Sequence, residues 1–339
     1  MAKNKLSVKK ISELTGLSPA TVSNALSGRR AVSKEASEKI AEVIKNLGYT
    51  TNSRKTLKNI KFVVFRKSGL IIDESVFHTA VIEGVEAEAK EHGLSTIFVK
   101  LQGDDVDYAD QVRKLVTDPE AAIVLLATEM SSEDFEPFRN CPCPIILLDG
   151  WDEQGCFSSV LIDNFHSAFN AVEHLIANGH TEIGYLSGSF RIDAFKSREI
   201  GYLAGLSSHN LKAKSDYKFV LTPKLEAAYQ DMKEYLAKKP KLPTAFFADN
   251  DLIALGCLKA LVESGYRVPE DVSIVGFDDL NFCVLSNPAL STIHVNKPEM
   301  GREAVRRLID FVENGNSTPF KIASTTTFVE RDSVKKIKK

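Results

Sequence analysis

The stretch Ser18-Pro19-Ala20-Thr21-Val22-Ser23-Asn24-Ala25-Leu26 decides how the first part of the chain folds. Ser18 can cap the free N–H groups of a helix start, and Pro19 fits the first helical position, where no N–H is needed. Val22 and Leu26, with Ala25 beside them, form an apolar stripe, which leaves Pro19, Ala20, Ser23 and Asn24 on a small, uncharged outer face. Upstream, Ser7 caps a predicted helix over Val8 to Leu14, with Val8, Ile11 and Leu14 inward, and Thr15-Gly16-Leu17 makes a tight connection. A third helix follows the Ser33 cap, with Glu35 in its first turn, Ala36, Ile40, Val43, Ile44 and Leu47 inside, and Gly48 as its stop. Three short helices, the second with so bare a face, read as a helix-turn-helix that enters a DNA groove.

Charge supports a polyanion partner at this end only. Residues 1–59 carry 12 Lys and Arg against 4 Asp and Glu, a balance of +8, while the rest of the chain stands at −10. Gly48 to Asn59 is polar and basic, with Leu57 its only aliphatic residue, and has little apolar surface with which to fold alone. At 339 residues, 43% hydrophobic and 26% charged, the chain has the composition of a globular protein of two or three domains. No apolar run reaches membrane-span length, and the N-terminal lysines precede no signal-like apolar segment, so a cytoplasmic location is expected. Five cysteines at irregular spacings, Cys141-Pro142-Cys143 among them, lack a second pair at zinc-like spacing and read as reduced thiols.

From Ile60 onward, short apolar runs alternate with amphipathic stretches. Strands are predicted at Ile60 to Phe65, Ser95 to Val99, Ala121 to Ala127 and Pro144 to Leu148, with helices at Phe77 to His92 and near Tyr108 to Val116. A second round is predicted to begin at the strand Ser159 to Ile162. It continues with strands Glu182 to Leu186, Tyr217 to Leu221, Thr244 to Ala248 and Val272 to Gly276, between helices Phe165 to Asn178, Lys196 to His209, Lys224 to Lys238 and Asp251 to Gly265. Continuous apolar strands alternating with helices form parallel sheets covered on both faces, and two rounds imply two lobes with a cleft at the carboxyl ends of the strands. No GxGxxG follows a strand, and no Gly-Lys-Ser, HExxH or GxSxG occurs, so no cofactor, metal or catalytic site is expected.

Several spaced motifs together resemble the LacI/GalR family of bacterial repressors. In the headpiece they are Val8-x-x-Ile11, Ser18-Pro19-Ala20-Thr21-Val22-Ser23, Leu26-x-Gly28, Val32-Ser33 and Leu47-Gly48-Tyr49-x-x-Asn52. In the body the likeness runs through Ile162-Asp163-Asn164, Gly179-His180, Arg198-x-x-Gly201-Tyr202, Asn250-Asp251, Gly276-Phe277-Asp278-Asp279 and Glu330-Arg331-x-Ser333. The resemblance implies an all-α helix-turn-helix headpiece (1–48), a hinge (49–59) and a two-lobed α/β body (60–334) like periplasmic sugar-binding proteins. The near lobe would comprise 60–161 and 292–321, the far lobe 162–291 and 322–334, and a basic tail, 335–339, would be disordered.

The same resemblance implies a homodimer on a pseudo-palindromic operator, with a small-molecule effector between the lobes. DNA contacts fall to Pro19, Ala20 and Asn24 for bases, and to Thr21, Ser23, Arg29 and Arg30 nearer phosphates. Asn24 stands where arginine is commonest, and asparagine prefers adenine where arginine reads guanine. Leu57 is the implied minor-groove wedge, five residues after Asn52, one fewer than the family's usual spacing. Effector positions are Arg198, Asp278 and Asn250, with Phe77 as a stacking ring, and Asp149, Trp151 and Phe190 placed after strands. Guanidinium, carboxylate and amide groups suit a polyol, so a sugar or sugar derivative is the expected effector. A purine-responsive regulator of the same architecture is the alternative, on Trp151 near Asp149 and the segment Asn287 to His294. The Arg191 to Arg198 spacing, however, is one residue longer than in that branch.

Overall fold

The computed structural model describes residues 8–27, 32–46, 57–73, 76–118, 120–139, 141–314 and 318–337. In the headpiece, α1 (Val8–Thr15), α2 (Pro19–Ser27) and α3 (Lys34–Asn46) enclose a core of Ile11, Val22 and Ile40. The caps form as their residue types dictate: Ser18 Oγ accepts the Thr21 N–H at 3.0 Å, and Ser33 Oγ accepts that of Ala36 at 3.3 Å. Gly16, at φ +70°, supplies the left-handed turn between α1 and α2. Leu14, expected inside, is 51% exposed. Thr15 takes the inner position instead, its hydroxyl bonded to the Ile11 carbonyl at 2.7 Å. Arg29, Arg30, Gly48 and the hinge up to Thr56 lie outside the described residues.

The body opens with β1 (Asn59–Arg66), α4 (Val76–Glu91), β2 (Ser95–Gln102), α5 (Tyr108–Leu115), β3 (Ala121–Leu126), β4 (Ile145–Leu148) and β5 (Ser158–Ile162). It continues with α6 (Asn164–Ala177), β6 (Ile183–Gly188), α7 (Asp193–Ser208), β7 (Lys218–Leu221), α8 (Leu225–Ala237), β8 (Ala245–Ala248), α9 (Asp251–Glu263) and β9 (Ser273–Val275). The chain closes with α10 (Phe282–Leu285), β10 (Thr292–Val295), α11 (Lys297–Asn314), β11 (Lys321–Ser324) and β12 (Thr326–Val329). The sequence patterns predict no element after Gly276, so the long helix α11 and the ribbon of β10 and β12 come from the structure alone.

The near lobe holds a six-stranded parallel sheet in the order β11-β5-β4-β3-β1-β2, and the far lobe a four-stranded parallel sheet, β7-β6-β8-β9. β5 therefore belongs to the first sheet and does not begin the second round. Both faces of the near sheet are covered, which is why its strands are apolar throughout: Ala122, Val124 and Leu126 enter one core, Ile123 and Leu125 the other. The chain passes between lobes at three places: after β5, between β10 and α11, and between β11 and β12. β10 and β12 pair antiparallel, Thr292 opposite Val329. β11 remains in the near sheet through Ser324, so the last return comes later than residue 322.

The tail is partly docked, where disorder was expected. Lys335 N–H donates to Ser273 Oγ at 3.1 Å, the Lys335 carbonyl pairs with His180 Nε2 at 3.1 Å, and Ile337 N–H donates to the Asn178 carbonyl at 2.8 Å.

α11 reaches the near lobe by lying on α4. A Cβ at Gly84 would collide with the Pro298 carbonyl, and one at Gly301 with the Val81 carbonyl, so the two helices touch backbone to backbone. Glu88, 3% exposed, anchors the same contact through Arg302 at 3.0 Å and Arg306 at 2.9 Å. Gly84→Val is expected to lower stability by about 1–3 kcal/mol, the usual cost of overpacking. Thermal unfolding of the full chain reads this directly, and an unchanged melting temperature would show that the helices can slide apart freely.

Candidate ligand cleft and nucleic-acid interface

The cleft is assembled from strand ends of both lobes, as the parallel topology requires. From the near lobe come Ile71 after β1, Phe77 and His78 at the start of α4, Thr128 after β3 and Asp149 after β4; from the far lobe come Ile192, Phe195, Arg198, Asn250, Leu252, Asp278 and Leu280. Five of the seven residues expected at a ligand thus line one space: Phe77, Asp149, Arg198, Asn250 and Asp278. Phe190 is half-buried beside it, packed on the cluster of Ile71, Ile192, Ala194 and Phe195. Trp151 is not among the lining residues; the Lys321 ammonium sits 5.3 Å from its ring centre, at the start of β11.

Arg198 is the centre of the far wall. α7 begins at Asp193, three residues earlier than expected, which buries Arg198 in its second turn. Its Nε donates to Asn164 Oδ1 at 2.8 Å, Nη1 donates to the Asp249 carbonyl, and Nη2 stands 3.5 Å from Asp278 Oδ1. The guanidinium also lies 3.5 Å from the Phe277 ring centre, a cation–π contact away from water. Asn250 caps α9, accepting the Ile253 N–H at 3.0 Å on its carbonyl oxygen. The other arginine of the purine comparison, Arg191, is engaged elsewhere, donating to Ser187, to the carboxylate of Asp249, to the Phe195 carbonyl and to Glu199.

Carboxylates in this setting hold their protons more tightly than usual. Burial pushes Asp149 up to about 6, against the relief of a 2.7 Å hydrogen bond from the Thr128 hydroxyl. Burial likewise raises Asp278, with Arg198 and Lys297 partly compensating. Burial also pushes the His78 imidazole down to about 4, so it is neutral, and its Nδ1 has no hydrogen-bond partner among the described residues. His78 and Thr128 were missed in sequence. Thr128 lies just past a strand end, where the topology said to look; His78 carries no signal beyond following Phe77.

The space itself is small, about 30 Å³, room for one or two water molecules. Apolar contact closes it: Ile71 of the near lobe meets Ile192, Ala194 and Phe195 of the far lobe. The loop carrying Ile71 is gathered on the Glu129 carboxylate, with the Arg66–Asp73 ion pair across its ends. Glu129 accepts the N–H groups of Lys67, Ser68 and Gly69 on one oxygen, at 2.8–3.0 Å, and those of Ile71 and Ile72 on the other, at 2.9 and 3.3 Å. Burial alone would raise its pKa, yet these amides hold it below the ordinary range.

On α2, Pro19, Ala20 and Ser23 are exposed, with Thr21 and Asn24 half-buried. Leu57 is half-buried against the near-lobe core, and the next residue is already fixed by its N–H bond to the Glu120 carbonyl at 2.9 Å. Among the described residues, no cluster of His, Cys, Asp or Glu is placed to hold a metal, and no helix is long and apolar enough to cross a membrane.

A helix-turn-helix unit ahead of a two-lobed parallel-sheet body with a polar cleft defines a DNA-binding regulator of transcription controlled by a small molecule. The model of bacterial regulatory proteins of the lacI family matches residues 7–52, and that of the periplasmic binding protein-like domain matches residues 172–334. The chain is 28% identical to the HTH-type transcriptional repressor PurR of Mannheimia succiniciproducens over 97% of its own length and 99% of that protein's. The transcriptional regulator CelR in complex with cellobiose superposes with a TM-score of 0.73 at 23% identity, over 97% of this chain and 100% of that one. The lac repressor dimer bound to operator superposes at 0.70 with 22% identity, over 97% and 99%. The chain thus carries a LacI-family helix-turn-helix domain ahead of a periplasmic-binding-like domain.

Asp251, beside Asn250, yields a pH test. Burial and the nearby Asp278 charge push its pKa up to about 7. A raised folded-state value means its contribution to stability is complete below the unfolded value near 3.8 and is lost as pH passes about 7. Asp251→Asn cannot ionise. Urea midpoints should therefore favour wild type less, relative to the variant, at pH 8 than at pH 5; a gap independent of pH would refute the assignment.

Proposed function

We propose that this regulator is a cytoplasmic, non-enzymatic repressor whose effector is a sugar or sugar derivative held between the lobes by Phe77, Asp149, Arg198, Asn250 and Asp278. The proposed division is headpiece 1–48, hinge 49–59 and body 60–334. The observation that carries the sugar reading is the opposition of Asp149 on one wall to Arg198, Asn250 and Asp278 on the other. Hydroxyls of a polyol can donate to the carboxylates and accept from the guanidinium and amide, and His78 Nδ1 can serve one more. Trp151 and Phe190 are assigned no direct contact on this reading. A purine effector is the second reading, favoured by the named activity of the relative at 28% identity. Against it stand Arg191, spent on Asp249 and Glu199, and Trp151, whose ring is beside Lys321.

Because the space is so small, a sugar needs Ile71 to part from Ile192 and Phe195. Binding is therefore linked to lobe position, and operator affinity and effector affinity change by the same factor. Thermal unfolding of the full chain against mono- and disaccharides, sugar phosphates and purines identifies the class, since a binder raises the melting temperature by mass action. A sugar response supports the first reading; a purine response replaces it with the second.

For DNA, the bases are assigned to Pro19, Ala20 and Asn24, and the backbone contacts to Thr21, Ser23, Arg29 and Arg30. Asn24→Arg is expected to move the preferred base towards guanine in a selection on randomised half-sites, and unchanged preference would remove Asn24 from the readers. Leu57 is assigned the wedge, which requires it to leave the near-lobe core on binding. Leu57→Ala should weaken operator binding by about tenfold or more while leaving effector binding intact; equal operator affinity would mean that Leu57 is only a core residue.

A further inference from the structure

Gly276 to Leu280 links the cleft to the crossing strands. Asp278 and Asp279 both have left-handed backbones, φ 111° and 51°. Adjacent side chains are thereby sent to different places. Asp278 faces Arg198 in the cleft, whereas Asp279 Oδ2 pairs with His294 Nδ1 at 2.8 Å and Oδ1 accepts from Arg331 Nη2 at 2.6 Å. His294 lies on β10, and Arg331 just beyond β12. Two of the three crossings between lobes are therefore held by one carboxylate one residue away from a cleft carboxylate.

The backbone reinforces this tie. Gly276 N–H donates to the Ser291 carbonyl at 2.9 Å and Asp278 N–H to the Ile293 carbonyl at 3.0 Å, so the loop runs alongside β10. Arg331 also donates to the Leu290 carbonyl at 2.8 Å. Lys297, only 7% exposed at the head of α11, donates to the Asp279 carbonyl at 3.3 Å and lies 5.8 Å from the ring centre of Phe77. Any shift of the Asp278 loop thus pulls on β10, on α11 and, through the backbone contact of α11 with α4, on the near lobe.

We propose that Asp279 is the positioning residue that converts occupancy of the cleft into movement of the crossing strands, through its paired contacts with His294 and Arg331. It is not among the residues that line the cleft. This rests on the reading that an effector binds beside Asp278, and the two can fail separately. Loss of Asp279's contacts leaves the cleft able to bind but disconnects it from the DNA-binding end, so the coupling factor between effector and operator falls toward one.

The test uses the full chain and Asp279→Asn, since asparagine tolerates the left-handed backbone at this position. His294→Gln, on a half-exposed side chain, serves as a milder second variant that removes one arm. Hydrogen exchange without ligand reads the tie itself: residues 292–295 and 326–333 should exchange at least about fivefold faster in Asp279→Asn, with β8 and the start of α9 unchanged. Unchanged protection of those two segments overturns the proposal, whether or not an effector has been found. The saccharide that raises the wild-type melting temperature most then serves as probe. Its Kd should stay within about threefold in both variants, while its effect on affinity for a half-site-selected operator falls to near unity in Asp279→Asn and to an intermediate value in His294→Gln. A retained Kd with undiminished coupling refutes the proposal, as does a Kd lost only in the variants, which would make Asp279 part of the binding site. Silence of every compound on wild type defeats the sugar and purine readings instead, and the exchange data then decide Asp279.

Discussion

A guanidinium cannot lose its charge, so burying Arg198 obliges the fold to surround it with acceptors. Those acceptors come from three separate segments: Asn164 at the first crossing, the Asp249 carbonyl at the end of β8, and Asp278 in the loop beside β10. Asn164 in turn donates to the Ile162 carbonyl at 3.2 Å, at the last residue of β5. Arg198, which lines the cleft, thus also ties the far lobe to the strand by which the chain enters it. The geometry of the cleft and the geometry of the crossings cannot vary independently.

A second layer of buried acid supports the first. Asp249 collects the Tyr185 hydroxyl, the Gly188 N–H and Arg191, and burial pushes its pKa up to about 6 despite them. Asp251 collects Thr292 Oγ1 at 2.6 Å, Leu280 N–H at 2.8 Å and Cys283 Sγ at 3.1 Å. Both sit at the end of β8 or the start of α9, flanking Asn250. Each carboxylate oxygen has a partner, and buried networks of this kind favour one arrangement of the loops around them.

The lobes are held together differently. Across the cleft the contact is apolar and few-membered, Ile71 against Ile192 and Phe195, and the loop that presents Ile71 depends on the Glu129 carboxylate. An apolar latch can part without leaving an unpaired charge, whereas the polar ties sit at the crossings.

Periodicity and capping made the three headpiece helices, the alternation of strand and helix, and the two-lobed class legible in sequence. Val22 with Ile11, the Ser18 cap and the alternating cores of β3 are local consequences of residue type. Phe77, Asp149, Arg198, Asn250 and Asp278 could be named because resemblance and the strand-end rule point to positions. What side chains share a space is set by long-range packing, and there sequence was silent. Trp151 turns to Lys321, Arg191 turns to Asp249, and His78, Thr128 and Ile71 join the cleft unannounced. β10 and β12 mix polar with apolar residues and so lack the continuous apolar run that marks the buried parallel strands, and the docked tail owes its place to His180 and Ser273, far away in the chain. Local physics determined the elements up to Gly276 and the class; the different aims of Asp278 and Asp279, two like residues side by side, were decided only by the tertiary structure, because backbone conformation imposed from both flanks sets where each carboxylate points.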